Sequence, residues 1–205
     1  MNFSFQPNEL RVLGCLVEKR FSTPDAYPLT LNSLIAACNQ SSNRDPVVHY
    51  DHSVVDAALK STRSQGFSII FSGADSRVPR YKETICDKLG LSRTEASILA
   101  ELLLRGSQTP GELRQRASRM CEFIDFEAVE LALQAMAQRE VPLVVALPRQ
   151  PGKREVRYAH LLGGPVELTQ EPARPAEGLE ERVVALEKQV AELQGLVSEL
   201  RGLLT

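Results

Sequence analysis

The sequence predicts a mainly helical α+β chain: two tandem winged helix-turn-helix modules with small β wings, then a C-terminal coiled-coil helix. Three observations predict it. The first 160 or so residues repeat themselves, with Glu9, Val12, Leu13 and Leu16 matched by Glu95, Ile98, Leu99 and Leu102 at an offset of 86. Each copy then runs through a Thr-Pro turn, a short helix, a longer amphipathic helix, a β-branched run and a basic loop ending in Arg-Tyr, the order of a winged helix. The last 27 residues are strictly heptad. The expected domains are 1–86, 87–162, a linker over 163–178 and a coiled-coil helix over 179–205.

In the first copy, Pro7 or Asn8 starts a helix with Leu10, Leu13, Leu16 and Val17 at helical spacing. Ser22-Thr23-Pro24-Asp25 is a turn. Thr30 caps a second helix carrying Leu31, Leu34, Ile35 and Cys38. The polar run from Asn39 to Pro46 is too turn-prone for regular structure. Asp51 or Ser53 caps a third helix with Val54, Val55, Ala58, Leu59 and Thr62 inward, and Gly66 ends it. Ser68–Phe71 reads as a strand, Ser72–Ser76 as a wing tip and Arg80–Lys82 as the return strand.

The second copy is shorter. Ser92 caps its first helix with Glu95 at capping-box distance. Thr109 caps the next, with Pro110 at its first position and Leu113 and Ala117 inward. The third runs from about Phe126 to Arg139 with Val129, Leu133 and Met136 inward. Leu143–Leu147 is a strand and Pro148–Glu155 the wing. The offset falls to 74 at the third helices, where Leu59 meets Leu133, so the extra residues of the first copy lie in its two polar loops, where insertions belong.

Residues 163–178 hold three prolines and little large apolar content, as a tether does. Beyond them Leu179, Leu186, Leu193 and Leu200 occupy d positions, and Val183, Val190, Val197 and Leu204 occupy a. Valine at a with leucine at d favours a parallel two-stranded coil, so this helix is expected to make a homodimer. The alternative is an amphipathic helix folded back on the globular part. Gly195 and Gly202 fall on the outer f position.

Hydrophobic content of 43%, with no Trp and 5% aromatics, requires cores of Leu, Val, Ile and Ala. No apolar run approaches the roughly 20 residues that a bilayer needs, and no signal peptide is recognisable. Cys15, Cys38, Cys86 and Cys121 are scattered singly, and three have apolar helical neighbours; buried reduced thiols in a cytoplasmic protein are expected. Residues 1–162 carry 20 basic and 18 acidic side chains. That near-neutrality argues mildly against a dedicated non-specific DNA binder.

Catalytic and cofactor signals are weak. His49 and His52 share a helical spacing near Asp45, Asp51 and Asp56, but no further ligand stands at a recognised metal spacing. Gly152-Lys153-Arg154 lacks the glycine pattern of a phosphate loop and lies between strands. No nucleophile–base pair stands at a known spacing. The sequence therefore points to no enzyme, no metal and no cofactor.

Nucleic-acid binding must come from the third helices and the wings. The first copy offers His52, Lys60 and Arg63 on its third helix, diluted by Asp51 and Asp56, and Arg77, Arg80 and Lys82 on its wing. The second copy's third helix begins Asp125-Phe126-Glu127 and carries Glu130, a poor match to phosphate. Only its wing is basic, with Arg149, Lys153, Arg154 and Arg157. Those cations are equally a solvated loop.

Several strings resemble the YceH family of bacterial proteins. They are Ala37-Cys38-Asn39-Gln40 with Asn43-Arg44-Asp45-Pro46-Val47, the run from Leu102 to Arg114, Pro151-Gly152-Lys153-Arg154-Glu155 with Arg157-Tyr158, and Arg11–Lys19. The resemblance spans about residues 3–162 and implies a tandem winged-helix fold in a cytoplasmic bacterial protein. It carries over no mechanism and no catalytic residue. Within the Asn39–Pro46 loop, Arg44 is expected to bond loop carbonyls rather than to form an exposed contact.

Two functions of different classes follow as expectations. The first is regulatory binding of double-stranded DNA through the first copy's third helix and the wings, strengthened by dimerisation. The second is a scaffold whose winged helices bind protein, favoured by near-neutral charge and by Glu127 and Glu130. The first leads by a small margin that rests partly on fold analogy.

Overall fold

The computed structural model describes residues 3–71, 78–123, 125–149, 155–166 and Gln189. Residues 72–77, which include the expected wing tip Ser72–Ser76 and Arg77, and residues 150–154, with Lys153 and Arg154, lie outside them. So do the eight heptad positions Leu179, Val183, Leu186, Val190, Leu193, Val197, Leu200 and Leu204. Met1–Val166 is one compact unit. It is mixed α/β and mostly helical, with small antiparallel sheets.

The elements run α1 (Pro7–Ser22), β1 (Leu29–Thr30), α2 (Leu31–Cys38), α3 (His52–Ser64), β2 (Ser68–Phe71), β3 (Arg80–Glu83), α4 (Ile85–Leu89), α5 (Arg93–Arg105), α6 (Pro110–Ala117), α7 (Phe126–Ala137), β4 (Val144–Ala146) and β5 (Tyr158–His160). The caps follow the local chemistry. Thr30, Asp51, Ser92, Thr109 and Asp125 each accept from a backbone N–H of the first turn they begin. Ser92 with Glu95 and Thr109 with Glu112 close full capping boxes. Gly66 takes φ +72 just beyond α3, the left-handed step at which a helix stops cheaply only on glycine.

Two elements were not foreseen. The helix α4 bridges the two copies, and the boundary placed at residue 86 falls inside it. The two-residue strand β1 pairs with β3, so the first sheet has the order β1-β3-β2. The second copy makes the same contact in miniature. Gln108, just before cap Thr109, exchanges both backbone hydrogen bonds with Tyr158 of β5, at 3.0 and 2.8 Å. The β4–β5 hairpin completes that side.

The copies are fused rather than strung. α1 packs along α5 and also against α2 and α3. Every residue from Glu9 to Glu18 is buried as a result. Leu10, Leu13 and Val17 enter a core shared with α5, α6 and α7, while Val12, Cys15 and Leu16 enter the core of α2 and α3, joined there by Leu104. At the crossing, a Cβ on Gly14 would stand 3.0 Å from Leu103 Cβ and 3.0 Å from two Leu104 side-chain carbons. Ala100, at the repeat offset of 86, is also fully buried. Small residues let these two backbones approach.

Among the described residues, no helix is long and apolar enough to cross a membrane. Cys15, Cys38 and Cys86 are buried free thiols, and Cys121 is a half-buried one. Burial pushes the Cys86 thiol up to about 12, so it packs as a neutral group.

His160 on β5 supplies a pH prediction. Its Nδ1 has no hydrogen-bond partner among the described residues, and burial lowers its pKa to about 4. The folded protein thus holds the ring neutral, while the unfolded chain protonates it near the ordinary ~6.5. That stability is intact above pH 6.5 and drains as pH falls toward 4. Urea midpoints should show a loss of about 2 kcal/mol between pH 7 and pH 5. His160→Gln should remove most of that slope; an unchanged slope would place its origin elsewhere.

Candidate functional site

Beneath any outer surface lies a buried ion network that positions the two halves. Glu18 of α1 is the centre. Arg44, from the Asn39–Pro46 loop, reaches it with both terminal nitrogens, at 3.1 Å to Oε1 and 2.6 Å to Oε2. The same guanidinium donates to the Ala37 carbonyl from Nε at 3.0 Å and from Nη2 at 2.8 Å, and to the Asn43 carbonyl at 2.7 Å. From the other side, Arg119 beyond α6 donates to Glu18 and also to Glu101 of α5. The side chains of Arg44, Glu18 and Glu101 have no exposure. Burial alone would raise the Glu18 pKa, but the hydrogen bond and charge of Arg44, with Arg119 behind it, hold it below the ordinary carboxylate range. Arg44 therefore bonds a loop carbonyl, that of Asn43, as expected, and in addition ties the loop to the Ala37 carbonyl of α2 and to a carboxylate. Its side chain has no exposure.

A neighbouring arginine finishes the loop. Arg11 of α1 donates to the Cys38 carbonyl at 3.3 Å and to the Pro46 carbonyl at 2.6 Å. The loop is thus stapled at both ends by cations from beneath.

The sequence-derived contact residues fare unevenly. His52, Lys60 and Arg63 all lie on α3, the first two exposed and Arg63 half-buried. Lys60 pairs with Asp56 at 2.7 Å one turn away and holds that carboxyl below its ordinary range, so its charge is already matched. Arg80 and Lys82 stand on β3; Arg80 donates to the Pro28 carbonyl at 2.8 Å. Arg149 is exposed beyond β4. Arg157 is no free wing cation: it pairs with Glu112 at 3.1 Å and donates to the Ser107 carbonyl. That tie fastens β5 to the start of α6. Charge reversal at Arg157 would therefore test packing, and Arg149→Glu is the cleaner wing probe.

The exposed surface that sequence reasoning only half described lies on two elements. The outward stripe of α7 carries Phe126 at 41% exposure and Leu131 at 57%, with exposed Glu127 and Glu130 between them. The first sheet has a second apolar patch. Strand register sets Ile69 opposite Lys82 and Phe71 opposite Arg80, so these four side chains share its outer face. Ile69 and Phe71 are 43% and 47% exposed. The other face carries Ser68, Tyr81 and Glu83, all buried, with Ile70 opposite Tyr81 and still 43% exposed. The β-branched run Ser68–Phe71 signalled a strand, but not that its apolar residues would be exposed. A groove of about 400 Å³ also runs between α6 and the start of α7, lined by Arg114, Phe123 and Phe126 among others.

Fold and surface together define a class: a mostly helical α/β protein of two fused, similar halves, with apolar side chains on charged outer faces. The chain belongs to the family described as "Protein of unknown function, DUF480", which matches residues 5–153. It is similar to a UPF0502 protein of Geobacter sulfurreducens, 53% identical over 179 residues, which cover 86% of this chain and 81% of the relative. It also resembles UPF0502 proteins of Koribacter versatilis, 49% identical over 84% of this chain and 80% of the relative, and of Solibacter usitatus, 46% identical over 89% of this chain and 88% of the relative. The relatives are bacterial.

Proposed function

We propose that the two halves are winged helices serving a non-enzymatic, cytoplasmic protein-binding scaffold, with the heptad segment making a parallel homodimer. The winged-helix reading is supported by the twice-repeated order of three helices and a hairpin. It is also supported by the backbone pairing of the residues before the second helix with the return strand, at Leu29 with Tyr81 and at Gln108 with Tyr158.

The observation that carries the protein-binding reading is the outward face of α7. In a winged helix the third helix presents its exposed face to the partner. Here that face pairs Phe126 and Leu131 with Glu127 and Glu130. Apolar side chains gain little from a phosphate backbone, and carboxylates are repelled by it. Against a protein, both are useful: the apolar pair supplies desolvation and the carboxylates select a cationic rim. The DNA reading keeps one favourable observation, the grouping of His52, Lys60 and Arg63 on α3 with Arg80 and Lys82 on β3. Two of those five are already engaged, Lys60 by Asp56 and Arg80 by Pro28.

One titration and one capture experiment separate the readings. Fluorescence anisotropy of a labelled random duplex with the full chain, at low and moderate salt, should show no binding. Affinity capture from bacterial lysate with wild type and with Leu131→Asp should yield at least one protein that the variant loses. Micromolar duplex binding that falls steeply with salt and is weakened by Lys82→Glu and Arg149→Glu, together with capture unchanged by Leu131→Asp, would overturn the proposal.

A further inference from the structure

Among the described residues, an exposed apolar patch on each half carries charge, and the two charges are opposite in sign. On the second half, Phe126 and Leu131 of α7 are flanked by Glu127 and Glu130. On the first half, Ile69 and Phe71 of β2 share the outer face of the sheet with Lys82 and Arg80 of β3. Each patch thus holds two large apolar side chains and two charges of one sign, and the sign is opposite on the two patches. From this complementarity we infer that the partner of the α7 face is a second copy of this chain, docked by its β2–β3 face. The inference rests on the protein-binding reading above and names the occupant.

The chemistry of such a contact follows from its parts. Burying Phe126 and Leu131 against Ile69 and Phe71 removes the exposed apolar surface of both patches at once. Glu127 and Glu130 then meet Lys82 at the rim, with the charge of Arg80, which keeps its hydrogen bond to the Pro28 carbonyl, beside it; these charges fix register and speed encounter more than they add affinity. Helix on sheet suits the shapes, because an α7 stripe of about two turns matches the length of a four-residue strand pair. The contact is heterologous: the surface given differs from the surface received. Such a contact leaves one α7 face and one β2–β3 face open on every pair, so assembly continues with concentration instead of stopping at two copies. Four residues a side fall well short of the roughly 800 Å² per partner of a stable interface. The association is therefore weak and reversible, and raised when copies are tethered.

Sedimentation velocity of the full chain over about 10–500 μM, at low and high salt, tests it. Mass should rise with concentration above its dilute value at low salt and rise less at high salt, because the charge pairs lie in solvent. Glu127→Lys with Glu130→Lys should abolish the rise, and so should Arg80→Glu with Lys82→Glu. Combining all four reversals should restore it, since the complementarity is then inverted rather than lost. Arg80 also serves the Pro28 carbonyl, so Lys82→Glu alone is the safeguard variant and should reduce the rise while leaving the melting temperature unchanged. A mass independent of concentration, or a fourfold variant that stays as dispersed as the double variants, would overturn the inference. If that happens while Leu131→Asp still loses a captured protein, only the identity of the partner falls. If Leu131→Asp changes neither measurement, the protein-binding reading falls with it.

Discussion

Replacing Glu18 with Ala is expected to cost about 3–5 kcal/mol, the penalty for leaving buried cations without their counter-charge. Two guanidinium groups lose a carboxylate at once: Arg44, whose side chain is sealed from solvent, and Arg119, which keeps only Glu101. For a chain of this size the melting temperature should fall by on the order of 10 °C. The loss should be larger than for Glu112→Ala, whose partners Arg116 and Arg157 are about one-third exposed and screened by water. Pairing Glu18→Leu with Arg44→Met should recover part of it, because removing both charges also removes their desolvation cost. Thermal denaturation of the three variants decides the matter. If Glu18→Ala melts like wild type, the network is not what holds the Asn39–Pro46 loop. Acid should act in the same direction. The folded carboxyl is held below its ordinary range, so its contribution is intact above the unfolded value near 4.5 and is lost as pH falls through the folded one.

Gly14→Val should be the other large effect. An added Cβ already meets Leu103 and Leu104 at 3.0 Å, tighter than side chains normally pack. Two further methyl groups force α1 and α5 apart along the seam that joins the halves, at a cost of about 2–3 kcal/mol. Gly14→Ala separates packing from propensity. It gains roughly 1 kcal/mol as a better helix former and loses a similar amount to the 3.0 Å contacts, so its stability should lie near wild type. Denaturant midpoints would show the order wild type close to Gly14→Ala and both well above Gly14→Val. A tolerated valine would mean that the seam can open without loss.

Much of the secondary structure was legible because it is written in local chemistry. Thr30, Asp51, Ser92 and Thr109 cap the helices assigned to them, since a short oxygen-bearing side chain satisfies first-turn N–H groups wherever a helix starts. The inward positions Leu59, Leu113, Leu133 and Met136 are fully buried for the same local reason, their spacing on a helix of 3.6 residues per turn. The strand β1 escaped notice because two residues carry no alternation; only its pairing with β3 makes it a strand.

The candidate surface was less legible. Glu127 and Glu130 were recognisable as unfit for phosphate from their place on the third helix, but the exposure of Phe126 and Leu131 was not. A helix with apolar side chains on more than one side reads as deeply buried until its neighbours are known. Arg157 was equally misleading: a basic loop residue looks free in sequence, and Glu112 lies far from it in the chain but 3.1 Å away in space. Glu18 and Glu101 did leave a signal. Each is an acid among apolar neighbours on a helix, and a buried carboxylate requires a cation.

Local sequence specifies the six longer helices, most of their caps, the repeat of order in the two halves and the family resemblance, because each depends on residues within a few positions of one another. Folding settles that the halves share α1 and α5 as a common seam, that Arg44 and Arg119 meet at Glu18, and that apolar side chains of β2 and α7 are exposed. Those outcomes depend on which surfaces come together, and a charge or a methyl group acquires its meaning from neighbours that the chain brings near only by folding.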